Sequence, residues 1–228
     1  MFEPHVPFDA APWRLSGVVY GTLLNDPAAM TALGAAAHQP PYKAPPSAPV
    51  LYVKPRNTLA ASGDVVVLPA DVAEFELGAA LGLVLGRTAC RLRADEALAH
   101  LAGCTLVADL SVPHDSFYRP AVRFKARDGS CLIGPAVLRV AAPDALTLQV
   151  KVDGKLVQQA CCAGMARSAA RLLADVTEFM TLQPGDVLML GVCAGAPRLR
   201  AGQAFAIEAD GLGCLQGRVA AAERAAQS

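Results

Sequence analysis

Seven short strand-like runs constrain this chain more than any other feature. From residue 50 onward LYVKP, DVVVLP, FELGAALGLVLG, CTLVADLSV, LTLQVKVDGKLVQ, DVLMLGV and QAFAIEADGLGCLQGRV follow one another, parted by Gly, Pro, Asn and Asp. Runs of this length, bounded by turn formers and carrying β-branched residues, read as strands. They do not alternate regularly with helices, so the pattern favours a mainly antiparallel or mixed β core over a doubly wound sheet. Asp153-Gly154 sits between two alternating runs and predicts a tight hairpin with a primed turn. Helices are expected at 25–38, where Asn25 or Asp26 caps and Pro27 suits the first turn, at 94–103 with Gly103 as the stop, and at 166–180 before Pro-Gly-Asp.

Ahead of that body lie an arm (residues 1–15), a strand (16–24), the first helix and a loop with five prolines in eleven residues, 39–49. Such a loop has polyproline character and is neither helix nor sheet. The expected division is therefore 1–49, packing on the body, and 50–228, the body that carries the chemistry. The 228 residues are 54% hydrophobic with a formal net charge of zero. That composition buries a core and excludes disorder. It also lacks the basic field that a nucleic-acid partner requires. No run approaches the ~18 apolar residues of a membrane span, and the N-terminus lacks the basic start and apolar core of a signal peptide. Seven cysteines with no C-x-x-C pair read as mostly buried thiols of a reducing, cytoplasmic compartment.

VAEFELGAALGLVLG, residues 72–86, sets two carboxylates two residues apart at the head of an apolar run. In a strand Glu74 and Glu76 share a face; in a helix they diverge. Two buried carboxylates on one face repel each other unless a cation lies between them. A divalent ion resolves that conflict; a solvated strand end avoids it. Asp109, inside TLVADLSV, is either a turn residue or a third acidic group of such a site. Lys125 and Asp128 in RFKARDGSCLIGP precede another buried-looking segment. Lys125 either holds an anionic substrate or stabilises an enolate, or it is a surface lysine. His114 and Asp115 form an acid–base pair near the site or an exposed loop pair. Arg119, Arg123 and Arg127 surround Lys125 in sequence and either grip a distal carboxylate or decorate the surface, with the Tyr118 hydroxyl beside them. Lys54 and Arg56, by a proline turn, are candidates for the mouth.

YVKPRNT, EFELGAALGLVLGR, GCTLVADLSV, FKARDGSCLIGP, FMTLQPGDVLMLGV and EADGLGCLQGRV together resemble the fumarylacetoacetate hydrolase family, over roughly residues 16–219. NDPAAMTALG, QPPYKAPPSAPVLYVKPRNT and SVPHDSFYRPAVRFKARDG point to its branch of isomerase/decarboxylases of 4-hydroxyphenylacetate degradation. The resemblance implies an α+β, mainly β fold: a mixed, rolled β-sandwich of the family's C-terminal-domain type with a few short helices. It implies Mg2+ or Mn2+ held by Glu74, Glu76 and Asp109. It implies Lys125 as a catalytic group, with Asp128 matching a later family aspartate on the substrate side. From the residues themselves, His114 is the second catalytic candidate, and Arg119, Tyr118 and Arg123 are candidates on the substrate. The implied substrate is an unsaturated 2-oxo or 2-hydroxydienoic di- or tricarboxylic acid, decarboxylated or isomerised through an enolate. The implied assembly is a homodimer or a heterodimer with a related subunit. Three positions depart from the family pattern: Leu23 stands for a histidine, Val192 for a threonine and Pro113 for an arginine. These leave two alternatives, a carbon–carbon hydrolase of acylpyruvates and a weakly catalytic subunit that supports an active paralogue.

Overall fold

The structure is a computed structural model and describes residues 17–114 and 121–222. The chain runs β1 (Val19–Leu23), α1 (Pro27–Leu33), β2 (Val50–Lys54), β3 (Leu59–Ala61), β4 (Val65–Leu68), β5 (Phe75–Leu85), α2 (Ala94–Ala97), β6 (Leu101–Ser111), α3 (Val122–Lys125), β7 (Cys131–Ile133), β8 (Thr147–Val152), β9 (Lys155–Cys161), α4 (Ala169–Thr177), β10 (Val187–Met189), β11 (Arg198–Leu199), β12 (Ala204–Ala209) and β13 (Gly213–Ala221). The larger sheet has the order β2-β1-β10-β5-β6-β7-β3, with β11 also on β5; the smaller is β4-β13-β12-β8-β9. Both mix parallel and antiparallel pairs, as a mixed β fold requires.

The larger sheet has to roll. Its two edge strands, β2 and β3, are consecutive in sequence and joined only by Pro55 and a 3-10 turn over Arg56–Thr58. Laid flat, six strand spacings would part them by roughly 29 Å. The chain from Lys54 to Leu59 reaches at most about 17 Å. Curling brings the edges together and gives the sheet an inner face.

Strand parity divides the side chains between two interiors. Phe75, Leu77, Ala79, Leu81, Leu83 and Leu85 of β5, with Leu106 and Leu110 of β6, pack against Leu148, Val150, Phe205, Ile207 and Leu215 of the smaller sheet. Residues of the opposite parity, Ala80, Val84, Val107, Cys131, Ile133, Val187 and Met189, form a second cluster inside the roll. β5 is buried on both faces, which is why its sequence is a continuous apolar run and not an alternation. Each fully buried leucine contributes about 1.5–3 kcal/mol relative to exposure. α4 covers the sandwich with Leu172, Leu173 and Val176 and is capped by the Ser168 hydroxyl.

Several expectations need adjustment. The helix read over 94–103 stops at Ala97, continues as a 3-10 turn to His100, and gives way to β6. Gly103 lies inside that strand, where an added Cβ would fall 2.6 Å from the Leu138 carbonyl oxygen; it serves a close backbone approach and not a helix stop. The 25–38 helix is α1 followed by a 3-10 turn, capped by Asp26. The helix over 166–180 is α4 alone. β1 is an interior strand of the larger sheet, between β2 and β10. The 153–154 turn has Asp153 at φ 49° and Gly154 at φ 79°, both positive as a primed turn requires. All seven cysteines are free thiols, but only Cys104, Cys131 and Cys162 are buried. Among the described residues no helix is long and apolar enough to cross a membrane.

Gly21 of β1 pairs with Tyr52 of β2, and the tyrosine ring lies where a Cβ would stand. Gly21→Val is expected to lower unfolding free energy by at least about 1–3 kcal/mol through overpacking. Val65→Thr, on the exposed side of β4, is expected to stay within about 0.5 kcal/mol; urea denaturation compares the two.

Candidate active site

A cavity of about 460 Å3 opens at one end of the inner face. It exists because one edge of β5 is only partly paired. The Leu190 N–H donates to the Leu81 carbonyl, and the Leu77 N–H donates to the Pro197 carbonyl; between these anchors residues 191–196 leave the strand. The detour is held from outside. Asn25 donates to the Leu190 carbonyl at 2.7 Å, and the Asp26 carboxylate accepts from the Ala194 N–H at 2.6 Å. Gly78, beneath the detour, leaves room for Val192, whose Cγ2 lies 2.8 Å from where a Cβ would stand.

Register decides which side chains meet there. Glu76 pairs with Ser111 and Gly78 with Asp109, so Glu76, Asp109 and Ser111 share the inner face. Tyr52 and Lys54 present the same parity from β2. Lys125 enters from the end of α3, and His114 from the residues after β6. Thr22, Leu23, Leu24, Val192 and Arg198 are among the other lining residues.

Asp109 is the electrostatic centre. Lys54 Nζ lies 2.9 Å from one carboxylate oxygen, and the other accepts from Lys125 Nζ at 2.8 Å and from the Tyr52 hydroxyl at 2.5 Å. Burial pushes the Asp109 carboxyl up, but Lys125, Lys54 and the hydrogen bonds from Lys125 and Tyr52 outweigh it and hold it well below the usual carboxylate range. Burial, then the Asp109 charge, raise the Tyr52 phenol well above its ordinary value, so it stays protonated as a donor. Burial first of all lifts the Cys131 thiol to about 12, which leaves it inert as a nucleophile.

Lys54 is fully buried and donates to the Lys125 carbonyl at 2.5 Å and to the Ser130 hydroxyl at 3.0 Å. Lys125 also donates to Ser111 Oγ at 2.8 Å, and its ammonium lies 4.5 Å from the centre of the Tyr52 ring. The His114 ring stacks on Phe124, with Nδ1 3.0 Å from the Val112 carbonyl. A carbonyl only accepts, so Nδ1 carries a proton.

The structure brings Glu76, Asp109, Lys125 and His114 to one cavity. Glu74 lies just outside it, 3.3 Å from Arg200 Nε and 4.0 Å from Arg198 Nε. Arg123 and Asp128 are exposed and do not line the cavity; Asp128 accepts from Asn57 at 2.6 Å. Tyr118, Arg119 and Asp115 lie outside the described residues. Tyr52, Ser111 and Arg198 were not singled out from the sequence, and Lys54 was read only as a mouth residue. A signal pointed to two of them: Tyr52 and Ser111 each stand two residues from a charged side chain, Lys54 and Asp109, within one strand, the spacing that shares a face.

The acidic residues do not fit a bare divalent-ion site. Glu76 lies 3.2 Å from Arg198 Nη1; Asp109 Oδ2 accepts from Lys125 and Tyr52, while Oδ1 lies 2.9 Å from the Lys54 ammonium and makes no hydrogen bond. Among the described residues no three carboxylate, imidazole or thiol groups are gathered as ion ligands.

Comparison with known proteins agrees with this architecture. Residues 18–220 match the model of the fumarylacetoacetate (FAA) hydrolase C-terminal family. The chain is 36% identical over 214 residues to the 4-hydroxyphenylacetate degradation bifunctional isomerase/decarboxylase of Salmonella dublin, covering 94% of this chain and 49% of that protein. The chain thus spans about half the length of the bifunctional relatives it matches. A solved 5-carboxymethyl-2-hydroxymuconate delta-isomerase from Mycobacterium smegmatis superposes with a TM-score of 0.79 at 25% identity, covering 92% of this chain and 81% of that one. A fumarylpyruvate hydrolase from Pseudomonas aeruginosa, solved with Mn2+ and pyruvate, has the same fold with a TM-score of 0.80 at 22% identity, covering 97% and 99%.

Removing one partner of a buried ion pair costs about 3–5 kcal/mol. Asp109→Asn, which strands two lysine charges, is expected to lose that much in denaturant unfolding at pH 7. Because the folded-state carboxyl lies below its unfolded value near 3.9, its contribution is complete above about pH 4 and is lost as pH falls toward the folded value. The wild type should therefore lose more stability than Asp109→Asn between pH 5 and pH 2, roughly the window those values set.

Proposed function

The chain belongs to the fumarylacetoacetate hydrolase family, and from that premise we propose that it is an enzyme of the isomerase/decarboxylase kind, acting on unsaturated 2-oxo diacids of aromatic catabolism. The observation that carries the reading is the Lys125 ammonium. It is held between Asp109 and Ser111 at the wall of a cavity that also has an apolar stretch, Leu23, Leu24 and Val192. A conjugated carbon chain suits the apolar walls, and an oxygen that gains negative charge suits the ammonium.

Both reactions of this reading share one need. Loss of carbon dioxide leaves an electron pair that delocalises through the double bond onto the carbonyl oxygen, giving a dienolate. Isomerisation of the 2-hydroxydiene reaches the same dienolate by loss of the hydroxyl proton and ends with a proton delivered to the far carbon of the conjugated system, leaving the 2-oxo-ene. Lys125 stabilises the oxygen in each case, and His114 carries the proton. Arg198, 43% exposed at the cavity wall, takes a carboxylate of the substrate. 5-Oxopent-3-ene-1,2,5-tricarboxylate and 2-hydroxyhepta-2,4-diene-1,7-dioate are the substrates proposed. Mg2+ or Mn2+ dependence, drawn from the family resemblance, is not built into these steps, because Glu76 and Asp109 already have cationic partners.

A second reading has its own observation. Leu23 and Val192 set apolar groups into the cavity wall, which suits a weakly active subunit that pairs with a related active chain. Assay of the chain alone and with such a partner separates the two.

The test of the first reading is proton NMR of either substrate with the purified chain, following carbon dioxide loss or migration of the double bond. Lys125→Met should lower kcat/KM by about 10^2-fold or more. His114→Ala should slow deuterium uptake from solvent at the reprotonated carbon by about 10^2-fold. Cleavage of an acylpyruvate to two acids, with neither of the other products, would replace this reading with a hydrolase.

A further inference from the structure

Glu76 on β5 is in register with Arg198 on the antiparallel β11, and Glu74 and Arg200 lie one residue outside those strands, each two residues from its like-charged neighbour. The four make a ladder of opposite charges. Arg198 Nη1 is 3.2 Å from Glu76, Arg198 Nε is 4.0 Å from Glu74, and Arg200 Nε is 3.3 Å from Glu74. Cross-strand pairs of opposite sign attract, and they satisfy the repulsion that two same-face carboxylates otherwise create.

Around the cavity three carboxylates, Glu74, Glu76 and Asp109, thus meet four cationic side chains, Arg198, Arg200, Lys54 and Lys125. The cluster carries one positive charge in excess before any ion arrives. A hard divalent cation needs several oxygens with open lone pairs and surplus negative charge. Half-exposed pairs such as Arg198–Glu76 add little to stability and yield readily. Asp109 does not yield so readily, because an ion that displaced Lys125 from it would leave that ammonium without a carboxylate partner in the wall.

We infer that Arg198, backed by Lys125, takes the place of a divalent cation in this chain, so that the site receives an anionic substrate without a resident metal ion. The guanidinium has five N–H donors and spends only part of them on Glu76. Arg198 lines the cavity, so its remaining donors are available to a carboxylate there. The inference does not rest on the reaction proposed above, because its readout is ion binding. A wrong substrate leaves it intact.

The test is a Mn2+ titration of the full chain, followed by electron paramagnetic resonance of the free ion and by calorimetry. Circular dichroism and the thermal midpoint of each variant monitor its folding. The wild type is expected to hold no Mn2+ more tightly than about 1 mM, and Arg198→Ala to bind it at least about tenfold more tightly. Arg198→Lys, which keeps a cation at the same place, should remain as weak as the wild type. Should Arg198→Ala fail to fold, Arg198→Gln serves in its stead. Stoichiometric Mn2+ on the wild type that disappears in Glu76→Gln would overturn the inference. So would an Arg198→Ala or Arg198→Gln protein that folds and gains no affinity.

Discussion

The carboxylate of Asp109, clamped between Lys54 and Lys125, is the interaction on which the inner face depends. Lys54 ends the first edge strand of the rolled sheet, Asp109 sits at its centre, and Lys125 and Ser130 come from the chain that leads into β7. The short link from β2 to β3 forces the edges together, and the cluster gives the closed end a fixed polar interior. Buried ion pairs are seldom the most stable filling for such a space; apolar residues of equal volume often do as well or better. The second apolar cluster, with Val107, Cys131, Ile133 and Val187, already fills the rest of the roll in that way. Charge at this one end is therefore better understood as serving the cavity than as holding the sheet closed.

Much of the fold was legible because it is written in local chemistry. Strand runs, the Asp153-Gly154 hairpin, the Pro27 helix start and the α4 helix all follow from neighbours within a few residues. Gly103 misled for the same reason. A glycine after an alanine-rich stretch looks like a helix stop until Leu138, 35 residues on, is seen against it. The rolling of the larger sheet came from resemblance, and its physical cause is the four-residue link that begins at Pro55; the order of the strands was not read from the sequence. The even-numbered face of β5 could not be told from its odd face by hydrophobicity, since both are buried.

The site was legible to the extent that it obeys strand parity. Glu76 and Asp109 were singled out from their setting at or in apolar runs, Lys125 from its place before a buried-looking segment, and His114 from its place after an apolar run. Arg198 was not, because its meaning depends on the register between β5 and β11. That register spans more than a hundred residues and is set by the detour at 191–196. Two readings of the glutamate pair stood at the outset, a metal ion or solvent. The register supplies a third partner that neither reading contained. A fold shared with a Mn2+-bound hydrolase does not by itself carry the electrostatics of that protein with it.

Charge excess also bears on what the cavity can receive. A wall with Lys125 and Arg198 beside apolar Leu23 and Val192 disfavours a cation and gains little from a neutral hydrocarbon. A conjugated acid with carboxylates at both ends answers both properties at once, neutralising the cations while its unsaturated middle covers the apolar wall. Under the proposed reading, Asp109 serves this arrangement through Lys125. By holding Lys125 against Ser111 and over the Tyr52 ring, it fixes the ammonium before any oxygen becomes negative. A charge already in place needs no reorganisation when the enolate forms. Asp109 thereby does for the lysine, through geometry alone, what a coordination sphere does for an ion.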